Sequence, residues 1–177
     1  MRTTSKKRCY LTAVATMAAL GLTSAANASG YNQFVGFGDS TMDSGYFRFS
    51  PTGGSPSLPP SISIDALIAA TVAAGGSGTF MGPGVIDTVQ IAQKFGLTAN
   101  PVTMPGGGTN YANGSAQTFS TTGENGFEQG LFNNVPVTTQ VVNYLASVHG
   151  RANPHALYMV SIGGNDLAWL DAQVGID

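Results

Sequence analysis

The chain has 177 residues, of which 42% are hydrophobic, only 9% are charged, and 24 are glycine. That suffices for one domain with a core of its own and hardly for two, and it is too apolar for a disordered chain. A formal charge of −2 gives no basic footprint for nucleic acid.

Residues 1–28 have the form of a cleavable signal peptide. Arg2, Lys6, Lys7 and Arg8 make a basic start, residues 11–22 an apolar run, and Ala26-Asn27-Ala28 a small-x-small cleavage site. The run falls short of the ~20 apolar residues that a membrane span needs. Four of the seven basic residues lie in this segment, leaving three against nine acids, so residues 29–177 carry −6. The single cysteine, Cys9, lies there too, so the remainder has no thiol with which to form a disulfide or a cysteine metal site. An exported protein held by packing alone is expected.

In residues 33–37 apolar side chains run into Gly38, and Asp39, Ser40 and a string of small turn-forming residues follow to Gly45. A buried strand ending in a tight loop with a hydroxyl at its tip is the expectation. In open α/β sheets, ligands and chemistry sit on such loops at the carboxyl ends of strands. Tyr46, Phe47 and Phe49 behind the loop read as core. Residues 50–60, rich in Pro, Gly and Ser, form a linker. Residues 62–74 are apolar on nearly every side and predict a buried helix packed on the domain, with an acyl-binding lid as the alternative.

Pro83 opens a helix with apolar residues at Val85, Val89, Ala92 and Phe95 and a cap at Gly96. A short strand is expected within 97–104, and a long polar loop over 105–134. A further helix over 135–148 shows Val137, Val141, Leu145 and Val148 at helical spacing, with Gly150 as its cap. Residues 156–162 read as a fully buried strand of a parallel sheet. It ends in Gly163-Gly164-Asn165-Asp166 and feeds a helix over 167–173. Strands separated by helices, with glycine loops after the strands, predict a parallel α/β sheet. The strand count suits the front part of a larger domain.

Acyl transfer needs a nucleophile, a base and donors aimed at the developing oxyanion. Ser40 is the candidate nucleophile. Asn165 carries an amide that donates without titrating, and Gly114 lets a backbone N–H approach a ligand closely. Asp39 and Asp43 read as turn-stabilising acceptors, and Asp166 as a helix-start acceptor. The chain has no Gly-x-Ser-x-Gly elbow, since Gly75-Gly76-Ser77-Gly78 is followed by Thr79, and no dinucleotide fingerprint, since Thr41 stands where the third glycine is required. No cofactor is expected.

Phe37-Gly38-Asp39-Ser40, Asn110-Tyr111-Ala112-Asn113-Gly114 and Gly163-Gly164-Asn165-Asp166 resemble, in order and spacing, the first three sequence blocks of the GDSL, or SGNH, hydrolases. Tyr46-Phe47-Arg48, Gly82-Pro83-Gly84 and residues 108–112 are most similar to the esterase domains of bacterial autotransporters. The resemblance implies a flavodoxin-like three-layer α/β/α sandwich, incomplete at its C-terminal side, that hydrolyses carboxylic esters of lipids or small acyl compounds. It also implies an exported enzyme, with anchoring at the outer membrane through a further C-terminal region. By position, Ser40 is then the nucleophile, and its N–H, the Gly114 N–H and the Asn165 side chain form the oxyanion hole.

The chain departs from the family pattern at Thr41 (usually Leu), Tyr46 (commonly Asn) and Ser115 (commonly a second Gly). The family's fourth block, Asp-x-x-His, which supplies the base and its orienting carboxylate, is absent. His149 and His155 are expected on the side of the sheet opposite the loops, as surface residues. A secreted module without catalysis is the alternative to an esterase.

Overall fold

The computed structural model describes residues 30–49, 64–79, 84–119 and 134–175. The signal segment, the 50–60 linker, Pro83 and residues 120–133 of the long loop lie outside them. Seven elements follow in chain order: β1 (Gln33–Gly38), α1 (Tyr46–Phe49), α2 (Ile64–Ala73), α3 (Asp87–Lys94), α4 (Val137–Ser147), β2 (Ala156–Ser161) and α5 (Gly164–Val174). Among the described residues, no helix is long and apolar enough to cross a membrane.

β1 and β2 pair in parallel, with Gln33 opposite Ala156 and Gly38 opposite Ser161. This establishes a mixed α/β chain with parallel pairing. Along β1 the side chains alternate as strand geometry requires. Phe34 enters one core with Met42, Ala92, Leu97, Ala99 and Ala112, and Val35 and Phe37 enter a second with Tyr111, Val137, Tyr144 and Ala156. Through these clusters α3 covers one face of β1 and α4 the other. On the second side Phe37 stacks on Tyr111 at 5.8 Å between ring centroids and meets Tyr144 edge-on at 5.7 Å.

The free edge of β1 is taken by residues 109–113. The Gly36 N–H donates to Thr109 O at 3.0 Å, the Tyr111 N–H to Gly36 O at 2.8 Å, and the Asn113 N–H to Gly38 O at 3.2 Å. The strand expected within 97–104 shrinks to a single bridge between Pro101 and Asn110. Pro101 has no N–H to extend a ladder. Two consecutive turns follow at once, closed by Met104 N–H to Pro101 O and Gly107 N–H to Met104 O.

Four burial expectations are corrected, the first at Phe49, expected in the core but 40% exposed, only Phe47 of α1 being buried. β2 is not fully buried: only Ala156 is buried, Leu157 and Met159 are half-buried, Tyr158 is 40% exposed and Val160 60%. α2 lies largely in solvent, with Leu67 and Val72 about half exposed, instead of packing on the domain. Its apolar residues form no stripe, so nothing in the helix favours one face for burial. α3 starts at Asp87, which leaves Val85 outside the helix and exposed, and Thr88 joins Ala92 on the buried side.

The helix ends follow backbone chemistry. After α3, Gly96 at φ 70° donates to Gln93 O and Leu97 to Ala92 O, the paired bonds of a Schellman cap. α4 ends in the same motif, but His149 at φ 54° takes the first left-handed position, and the expected Gly150, at φ 74°, follows it. The His149 N–H donates to Ala146 O and that of Gly150 to Leu145 O. The buried face of α4 consists of Val137, Gln140 and Tyr144, while Leu145, one of its four periodic apolar positions, is exposed.

Candidate active site

β1 ends where its neighbour leaves no room for a side chain: a Cβ on Gly38 would overlap the Ser161 carbonyl oxygen. Past Gly38 the loop folds on its own carboxylates. Asp39 Oδ1 accepts the Thr41 N–H at 2.9 Å and the Thr41 hydroxyl at 2.7 Å, the turn expected of it. Asp43 Oδ1 accepts the N–H groups of Gly45 and Tyr46 at 2.8 and 2.6 Å, which caps α1. Ser40 sits half-buried at the tip. Among the described residues neither its N–H nor its hydroxyl has a hydrogen-bond partner.

The Ser40 and Asn165 loops are neighbours. The Asp39 N–H donates to Ser161 O at 3.3 Å, and the Thr41 and Ser161 hydroxyls lie 3.3 Å apart. A Cβ on Gly164 would lie 3.9 Å from Asp39 Oδ2. Residues 110–118 lock onto both loops. Asn110, fully buried, donates through Nδ2 to Met42 O and to Ser44 Oγ, each at 2.8 Å. Asn165 donates through Nδ2 to Ala116 O at 2.8 Å, which leaves its second amide hydrogen for another acceptor. Gln117 donates to the Asn165 carbonyl at 3.3 Å. The three motif segments therefore meet at the carboxyl end of β1.

Two expectations are corrected in detail. The Gly114 N–H is occupied, donating to Asp43 Oδ2 at 3.0 Å. Asp166, in the first turn of α5, turns away from its own helix start and accepts the Thr118 N–H and hydroxyl at 3.0–3.1 Å. A neighbouring loop offered those donors, and Gly163 begins the helix without any side-chain cap. Ser115 adopts φ 61°, so the departure from glycine falls where a side chain is disfavoured.

Sequence reasoning missed Thr79 and Gln140 and saw only part of what Asp43 does, its bonds to the Gly45 and Tyr46 N–H groups being the turn role expected of it. Asp43 is a hub of four donors: besides those three N–H groups it accepts the Thr79 hydroxyl at 2.9 Å. Burial pushes its carboxyl up to about 6, against the lowering effect of those hydrogen bonds. Thr79, 36 residues away, left no signal in the pattern. Gln140 is 1% exposed and treats Gly38 as a neighbouring strand would. Its Oε1 accepts the Gly38 N–H, and its Nε2 donates to Gly38 O, both at 2.9 Å. A glutamine inside the apolar stripe of α4 was the available clue.

The histidines are placed elsewhere. Both are exposed, and the His155 carbonyl accepts the N–H of Asn32, just before β1. The length of β1, roughly 20 Å for six residues at strand rise, thus separates His155 from the Ser40 loop. His149 lies at the exposed C-terminal end of α4. A cavity of about 230 Å³ opens beside α4, lined by residues that include Tyr46, Tyr111 and Gln140 but none of Ser40, Gly114 and Asn165. Among the described residues no group of three or more His, Cys, Asp or Glu side chains is arranged to hold a metal ion. Comparison with family models, curated proteins and solved structures gives no match for this chain.

Proposed function

We propose that this chain carries the nucleophile and oxyanion loops of an exported serine esterase acting on carboxylic esters of lipids or small acyl compounds, on a flavodoxin-like sandwich. One observation carries the reading: the segments around Ser40, Gly114 and Asn165, 125 residues apart in sequence, are hydrogen-bonded to one another at the carboxyl end of one parallel strand. The open N–H and hydroxyl of Ser40 and the first turn of α5, whose dipole favours negative charge, support it. So does the resemblance of the three motifs to the SGNH hydrolases.

In this reading the Ser40 oxygen attacks the ester carbonyl carbon and loses its proton to a base, while the carbonyl oxygen becomes the oxyanion. Collapse expels the alcohol and leaves an acyl-serine, which water hydrolyses. Donors to the oxyanion are the Ser40 N–H and the Asn165 amide, with Gly114 as the third candidate. Losing one such donor typically costs ~2.7–4 kcal/mol of transition-state stabilisation. His155 stands at the wrong end of β1 to be the base, and His149 is exposed past the end of α4. A secreted module without catalysis is the second reading, supported by the placement of His155 away from the Ser40 loop.

Chemical rescue separates the two. A fluorophosphonate probe, which forms an oxygen–phosphorus bond as fluoride leaves, is expected to label the 177-residue chain slowly. Added imidazole, acting as the missing base, accelerates the labelling, and Ser40→Ala abolishes it. Labelling that persists in folded Ser40→Ala, or none with imidazole in the folded chain, overturns the esterase reading.

A further inference from the structure

The two oxygens of the buried Asp43 carboxylate are used unequally. Oδ1 accepts three donors: the N–H groups of Gly45 and Tyr46 and the hydroxyl of Thr79. Oδ2 accepts one, the Gly114 N–H at 3.0 Å. We propose that Asp43 is a positioning residue that governs the third oxyanion donor: its ionised carboxylate keeps the Gly114 N–H for itself, and a proton on Oδ2 releases that N–H toward the substrate oxygen.

The proton goes to Oδ2 because Oδ1 is saturated. Protonating Oδ1 would disrupt the α1 cap and the Thr79 tether together, whereas protonating Oδ2 weakens a single bond. It converts the oxygen facing Gly114 from a carboxylate acceptor into a hydroxyl, a much poorer one. The groups facing Asp43 from each side are Arg48 and Tyr46 from α1, the Thr79 hydroxyl from the turn before α3, and the Gly114 N–H from the 110–118 segment. The cation of Arg48 favours the ionised form. Burial opposes it more strongly and brings the transition into the mildly acidic range. Next to Gly114, Ser115 at φ 61° occupies a conformation that a side chain disfavours, so the segment is held by its hydrogen bonds and not by local preference. The consequence is a hole with two donors, the Ser40 N–H and the Asn165 amide, while Asp43 is ionised, and with three once it is protonated.

This inference rests on the reading of Ser40, Gly114 and Asn165 as one acyl-transfer site, but its test does not depend on turnover. In the ¹⁵N-labelled chain the Gly114 amide proton is expected to move upfield as pH falls from about 8 to about 4, with a midpoint near 6. In Asp43→Asn the three donors on Oδ1 keep the amide oxygen, so the NH₂ group faces Gly114. That variant is expected to show the low-pH Gly114 resonance at every pH. A Gly114 amide that does not titrate in the unmodified chain overturns the proposal, and this measurement decides alone if the variant does not fold. A folded Asp43→Asn whose Gly114 resonance matches the high-pH form overturns it as well. Failure of Ser40 to label while Gly114 titrates removes the esterase reading and leaves the switch standing.

Discussion

At the scale of single residues, Asp43 sets the behaviour of the Ser40 loop. A carboxylate 1% exposed and holding four donors is at once an organiser and a charge out of water. Its carboxyl rises from 3.8 to about 6 on folding, so between those values the folded chain binds the proton more tightly than the unfolded one. The stability this group contributes is therefore fully present below pH 3.8 and is lost as pH rises through about 6. The expected loss is about 3 kcal/mol, since each tenfold gain in proton affinity on folding is worth ~1.4 kcal/mol. Denaturant midpoints measured across that window should carry this falling component in the unmodified chain and lack it in Asp43→Asn. The difference between the two profiles isolates it from the other acids.

At the scale of elements, α4 shows how a polar residue holds a sheet edge. Gln140 supplies an acceptor for the Gly38 N–H and a donor for the Gly38 and Val135 carbonyls. Gln140→Leu retains the packing volume but leaves the buried Gly38 N–H without an acceptor. The expected cost is about 1–3 kcal/mol, that of one orphaned buried group, since the Gly38 and Val135 carbonyls keep Asn113 as donor. Chemical denaturation reads it, and a loss within about 0.5 kcal/mol, the range of an ordinary surface substitution, would show that the pairing is dispensable. The helix ends teach a related point. Gly96 and Gly150 both announce a stop in the sequence, yet after α4 the first left-handed position is filled by His149. A glycine marks a helix end to within a residue, and the cap geometry decides which residue bears the conformational strain.

At the scale of the whole molecule, the core lies around β1, and the side beyond β2 is open among the described residues. Phe34 is 1% exposed, whereas Leu167 on α5 is 69% exposed. Phe34→Ala should cost ~3–5 kcal/mol, as large-to-small changes in a packed core do. Leu167→Ala should cost no more than ~0.5 kcal/mol. Thermal unfolding of the two variants side by side tests where the core sits; comparable losses would mean that α5 packs as firmly as β1.

Much of this was legible in advance because it depends on local chemistry. The apolar run into Gly38 specified β1, and the glycine loops after 37 and 162 specified its parallel partner, since only crossover connections join such strands. That the motif segments around Ser40, Gly114 and Asn165 would lie together was expected from their place on strand-end loops, and the position of His155 before β2 followed from strand polarity alone. What only the tertiary structure decided are the partners of polar groups distant in sequence. The Gly114 N–H had Asp43 to choose and Asp166 had Thr118, because buried donors and acceptors must pair with whatever the fold brings within reach. Burial was decided there as well: the apolar composition of α2 and β2 makes contact favourable, but only the arrangement of neighbours supplies a surface to make it with.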